Sequence, residues 1–278
     1  MKSEEKNGGL VSAPPHSSLL TPHWYAGAMP RIFLTAQWRN LIMVSYHVPR
    51  GLLEAHVPEG LELDLIGGEP AASLVAFEFR DTRVFGVPWP GFRDFPEWNL
   101  RTYVRESSAK CRVPSAEGET ASPRRGVLFI REFVSSRIVS RLARRMYNEP
   151  YAAAPMRHES VMEGAGDGVW CRYGVRFNHA DHSLEARARA ALSVPGEGTI
   201  EHALKEQRWG FGRTRQGKAL CYEVLHPEWR VYAGATCKVE VNWARLYGAE
   251  WGVMQGAGPF SVMLVEGSTV TVAAATGL

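Results

Sequence analysis

Short apolar runs rich in β formers recur along this chain between Gly, Pro and polar turns, the pattern of successive strands. Residues 41–48 (LIMVSYHV) form an apolar run rich in β formers that stops at Pro49. Residues 50–56 read as a short helix closed by a turn at 58–60. Strands are predicted over 72–80, 95–105 and 127–133. Only residues 135–147 carry helical spacing: Ile138, Val139, Leu142 and Met146 share a stripe, and Arg137, Arg141, Arg144 and Arg145 occupy the rest. Ser135 or Ser136 can cap its start, and Arg144 and Arg145 stand where the helix dipole favours cations. In the second half, strands over 169–178 and 184–192 flank a turn at 179–182. Strands over 210–215 and 219–225 flank Gln216-Gly217, and 236–243 and 261–272 complete the set. Many strands joined by short turns, with few helices, predict a mainly β (α+β) fold, a large antiparallel sheet curled or closed into a barrel. Residues 31–278 are read as a single β-rich barrel domain. Residues 1–30 mix Ser, Pro, Gly and charge without periodicity and are expected to be a disordered or loosely docked tail.

Composition narrows the function classes. Of 278 residues 45% are hydrophobic and 22% charged, ordinary for a globular protein, and the net charge of +3 is too mild for a dedicated nucleic-acid binder. Cys111, Cys171, Cys221 and Cys237 are scattered, without zinc-type spacing, so reduced thiols and no metal are expected. No secretory leader or long apolar span is evident, which predicts a cytoplasmic protein with no membrane partner. Phosphate loops and nucleophile elbows are missing from the sequence, and no cofactor is expected. Of the 32 lysines and arginines only six are lysine: Lys2, Lys6, Lys110, Lys205, Lys218 and Lys238.

The most informative segment is 95–104, FPEWNLRTYV. On a strand, Glu97, Asn99, Arg101 and Tyr103 share one face and Trp98, Leu100, Thr102 and Val104 the other. A carboxylate, an amide, a guanidinium and a phenol in one row suit a small carboxylate or carbonyl ligand, with Arg101 anchoring the anion, Glu97 in acid–base work, and Asn99, Tyr103 and Tyr151 donating or accepting hydrogen bonds. The plainer alternative is a face that meets water. Residues 236–243 repeat the alternation: Lys238, Glu240 and Asn242 against Cys237, Val239, Val241 and Trp243. A lysine in a closed apolar site can act as a nucleophile, which makes Lys238 a candidate beside the plainer reading of a solvated strand lysine. His226 follows a strand and is a candidate ligand contact or base. His179, Asp181 and His182 have metal-ligand chemistry but fall in the expected turn and are read as solvated. The arginine-rich helix is read as a solvated face rather than a nucleic-acid or membrane dock.

The order of segments resembles an uncharacterised bacterial family, the YqjF-like proteins of domain of unknown function 2071. The likeness lies in 41–48, PEGLELD at 58–64, 72–79, Gly86-Val-Pro, EWNLRTYV at 97–104 and Glu149-Pro-Tyr151. Degenerate versions of its later signature follow in ALKEQRWG at 203–210 and LHPEW at 225–229. The resemblance implies the fold of acetoacetate decarboxylase, a β-barrel around a small-molecule cavity, with Glu97 at a cavity-lining position. It also implies a gap: the decarboxylase carries a Schiff-base lysine pair where Tyr151 and Ala152 stand here. The imine mechanism is therefore not carried over, because function lives in the site and not in the fold. The expectation is a small-molecule-binding barrel, with two readings open: a decarboxylase-like lyase lacking that lysine, or a non-catalytic barrel for a metabolite or protein. A homo-oligomer is compatible with either.

Overall fold

The computed structural model describes residues 31–88, 92–107, 122–148, 150–162 and 168–278. The expected tail at 1–30, residues 89–91, Cys111 and Glu149 lie outside the described residues. All described residues fall within the unit Arg31–Leu278. Among them no helix is long and apolar enough to cross a membrane.

A ring of strands organises the fold. Ser261–Ala273 pairs with Ile32–His47, followed around the ring by Ala71–Val84, Phe95–Glu106, Arg125–Val134, Trp209–Arg213 and Ala219–Leu225. The last strand returns to the first through Val224↔Val272 and Leu225↔Thr271, which closes the barrel. Most pairs are antiparallel, as the short turns predict. Two are parallel. Trp209–Arg213 runs parallel to Arg125–Val134 over Trp209↔Gly126 to Phe211↔Leu128, and Tyr151–Ala153 runs parallel to the same strand from Glu132↔Tyr151. Parallel neighbours need a long crossover, and here the helix Arg137–Tyr147 supplies the second one. Its N-cap is Ser136, whose side chain accepts from the Val139 amide at 3.2 Å. The first parallel seam is tight: a Cβ on Gly126 would stand 2.0 Å from the Trp209 carbonyl oxygen, so only glycine fits.

A separate four-stranded antiparallel sheet, in the order Thr236–Glu240, Ala180–Ala188, Val169–Phe177 and Met156–Val161, covers one side of the ring. Its Cys171, Tyr173, Val175, Leu184 and Ala186 share a core with Ile42, Val44, Leu74, Ala76, Trp98 and Leu100 on the outer face of the barrel. The strand Phe95–Glu106 is therefore buried on both faces from Glu97 to Val104.

Several expectations shift. The first strand begins at Ile32 rather than 41. In it Trp38 and Leu41 both line the interior although three residues apart, because Asn40 takes a left-handed φ of 56° and interrupts the alternation. The hairpin between Val169–Phe177 and Ala180–Ala188 turns on two residues only, Asn178 (φ 47°) and His179 (φ 59°), the paired positive φ of a tight hairpin turn. Asp181 and His182 consequently lie on a strand. His182 is buried, and its Nδ1 accepts from the Asn242 amide at 3.3 Å, which corrects its reading as a solvated turn residue. The strand expected over 236–243 ends at Glu240. Asn242 leaves the ladder to cap the helix Trp243–Tyr247, accepting from the Arg245 amide at 3.0 Å.

Candidate functional site

The barrel interior holds a cavity of about 160 Å³, and the inner row of Phe95–Glu106 forms one side of it. Glu97, Asn99 and Arg101 all line it and are 3%, 2% and 7% exposed. Opposite them in register stand Phe77, Val75 and Ser73. Tyr103 comes from the same row but does not line the cavity: its hydroxyl donates to the Leu204 carbonyl at 3.4 Å and accepts from Ser73 Oγ at 2.6 Å.

Two further groups reach the cavity by features that alternation does not reveal. Between Phe95–Glu106 and Arg125–Val134 the register slips: Arg101 faces Phe129, yet Leu100 faces Arg131. The bulge at Ile130 reverses the parity of the strand, and Glu132 turns inward opposite Asn99. The parallel strand then sets Tyr151 beside Glu132, and the Tyr151 hydroxyl donates to Glu97 Oε2 at 2.8 Å. Asn99 Nδ2 donates to Glu97 Oε1 at 3.0 Å, so both carboxylate oxygens are engaged.

The second unforeseen group is Lys205, the last residue of the six-residue helix Ile200–Lys205, started by a Thr199 side chain that accepts from the His202 amide. Six residues are too few to show helical periodicity in the sequence. Lys205 lines the cavity, is 1% exposed and forms an ion pair with Glu206. The Leu204 carbonyl, at the end of the same helix, accepts from Arg101 Nη2 at 3.2 Å.

His226 also joins the lining. Its ring stacks on Trp229 at 4.1 Å, and its Nδ1 lies 2.9 Å from the Pro227 carbonyl. A carbonyl only accepts, so Nδ1 carries the hydrogen and Nε2 is the acceptor. Lys238 does not join. It is 66% exposed on the covering sheet, with its Nζ 2.8 Å from Glu240. A row repeating the polar–apolar alternation on a sheet whose other face packs on the barrel simply points outward.

Burial dominates the titration of the site. Desolvation pushes the Glu97 carboxyl up to about 7, against the hydrogen bonds from Tyr151 and Asn99 and the charge of Arg101. Burial, reinforced by the Glu132 and Glu97 carboxylates, holds the Tyr151 phenol well above its ordinary range, so it stays a proton donor. Burial lowers the His226 pKa and favours the neutral ring. Glu97 is thus poised to hold or release a proton near neutrality, beside the fixed cation of Arg101. Among the described residues no group of three or more His, Cys, Asp or Glu is placed to hold a metal ion.

The model of domain of unknown function 2071, described as an uncharacterized conserved protein, matches residues 35–268. This chain belongs to that family. The uncharacterized protein YqjF of Bacillus subtilis is 27% identical over 209 residues, covering 74% of this chain and 77% of its own. Among solved structures, an acetoacetate decarboxylase-like enzyme from Sphingomonas wittichii superposes with a TM-score of 0.61 at 12% identity, over 95% of this chain and 99% of its own. The enduracididine biosynthesis enzyme MppR, solved in complex with pyruvate, superposes with a TM-score of 0.58 at 14% identity, over 96% and 98%. At such identities the likeness establishes the fold. Mainly β, with a large curled sheet and a few short helices, this family member has the acetoacetate decarboxylase-like architecture.

Proposed function

We propose that the chain is a small-molecule-binding barrel whose cavity takes a carboxylate or carbonyl compound, and that Glu97 exchanges a proton with it. Arg101 anchors the anionic or carbonyl oxygen. Asn99 and Tyr151 orient Glu97, while His226 contributes an acceptor at the cavity wall. Lys205 adds a second positive charge to the lining, held by Glu206, and no imine is formed. The observation that carries this reading is the convergence of Glu97, Asn99, Arg101 and Tyr151 on one cavity, with a carboxyl whose pKa is pushed up to about 7 among them. The binding of pyruvate by MppR, a neighbour in fold, supports a ligand of this chemistry.

The test is deuterium exchange at the carbon next to the carbonyl of a panel of 2- and 3-oxo acids, followed by proton NMR. Wild type is expected to accelerate exchange, Glu97→Gln to abolish it, and Arg101→Ala to weaken ligand affinity. Exchange that survives both substitutions would sink these assignments.

A non-catalytic binding barrel is the second reading. It is favoured by the engagement of both Glu97 oxygens and of Lys205 by protein partners, and it predicts Arg101-dependent binding with no exchange.

A further inference from the structure

The cavity is graded from one end to the other, and the grading speaks to the shape of the ligand. Along the inner row the side chains run Arg101, Asn99, Glu97, Phe95; along the facing strand they run Ser73, Val75, Phe77, Phe79. Trp38 stands opposite Phe79 on the next strand. One end is therefore ionic, and the other is a cluster of rings. Phe79 stacks on Phe95 at 4.8 Å, and the Trp38 ring lies 5.0 Å from Phe77, 5.7 Å from Phe79 and 6.0 Å from Trp229. All of these rings line the cavity.

The ring cluster begins at Phe77, which faces Glu97, two inward side chains along the row from Arg101. A three-carbon acid anchored at Arg101 leaves the ring-lined end unfilled. The ionic end in turn has unmet needs: Arg101 Nε and Asn99 Oδ1 are buried with no protein partner. Those atoms ask for one acceptor and one donor, which a carboxylate with a neighbouring hydroxyl or enol provides. Rings packed edge to face and in offset stacks favour another ring against their open edges and faces over an aliphatic chain of similar size.

We propose that the ligand is an aryl acid: a carboxylate with an adjacent hydroxyl or enol seated on Arg101 and Asn99, and an aromatic ring packed against Trp38, Phe77 and Phe79. This inference rests on the carboxylate site proposed above and adds the class of its tail.

Isothermal titration calorimetry of the full chain with pyruvate, 4-methyl-2-oxopentanoate, phenylpyruvate and 3-phenyllactate tests it. Both phenyl compounds are expected to bind about a hundredfold more tightly than pyruvate, from burial of the ring alone. They are also expected to exceed the branched aliphatic acid by about threefold or more. Phe79→Leu, checked for folding by its thermal melt, narrows the phenyl-to-aliphatic ratio. Pyruvate binding as tightly as phenylpyruvate, with Arg101 still required, overturns the aryl class and leaves the carboxylate site standing. An aliphatic acid binding more tightly than its phenyl counterpart does the same. No Arg101-dependent binding of any acid overturns the carboxylate site, and the aryl class with it.

Discussion

Tyr151 donates its phenolic hydrogen to Glu97 Oε2 at 2.8 Å across a sequence separation of 54 residues. The bond stabilises the Glu97 anion, so it counters the burial that raises the carboxyl to about 7. Tyr151→Phe removes it. The Glu97 carboxyl is expected to rise further, moving the pH dependence of ligand affinity to the alkaline side, with a stability loss of about 1 kcal/mol. Titration of ligand affinity from acid to alkaline pH checks the shift, and an unmoved midpoint would contradict it.

Glu97 also links folding to pH. Its folded-state pKa lies near 7, above the ordinary 4.5. Below about pH 4.5 the carboxyl is protonated whether the chain is folded or not, and burial costs nothing there. Between about 4.5 and 7 the unfolded chain releases the proton while the folded chain keeps it, so stability falls; above about 7 the loss is complete. Glu97→Gln has no such proton. The stability of wild type relative to this variant is expected to drop by up to about 3 kcal/mol across that window and then level off. Paired urea melts at successive pH values measure the difference, and a flat difference would rule the linkage out.

The two lysines of interest should behave oppositely. Lys205 is fully enclosed with Glu206, and Lys205→Met leaves a carboxylate without its counter-ion. Glu206 keeps some contact with water, so a cost of about 2 kcal/mol is expected, below the range for wholly buried pairs. Lys238 is 66% exposed, and Lys238→Met should change stability by no more than about 0.5 kcal/mol. Denaturant melts of the two variants distinguish them.

Borohydride reduction in the presence of pyruvate or phenylpyruvate probes imine chemistry directly. The Lys205 Nζ is held by Glu206, a contact it would have to leave to attack a carbonyl. Peptides bearing Lys205 and Lys238 are expected to keep their unmodified mass. A reduced adduct on Lys205 would replace the charge role assigned to it with that of a nucleophile.

The inner row Glu97–Asn99–Arg101 was legible in the sequence, because a period of two survives wherever a strand is regular. Glu132 was not legible. Its inward turn depends on a register slip against the neighbouring strand, a property of the pair and not of either segment. Lys205 was hidden for a different reason: a six-residue helix leaves no periodic trace, and its place at the ionic end follows from the packing of Leu204 into the barrel core. Lys238 misled in the opposite sense. Its row has the same alternation as the Glu97 row, and only the covering sheet's position outside the ring tells the two apart. The rings of Trp38, Phe77 and Phe79 became a lining only once the barrel closed around a space.

That closure is uneven. The seam between Ala219–Leu225 and Ser261–Ala273 consists of two residue pairs, while the same Ser261–Ala273 strand meets Ile32–His47 along nearly its whole length. Val224 and Val272 belong to that short seam and also to the cavity wall. Two rungs are the cheapest in the ring to unzip, so their amides should exchange with solvent ahead of those on the long ladders. Since the same residues wall the cavity, breathing at this joint is breathing of the chamber itself.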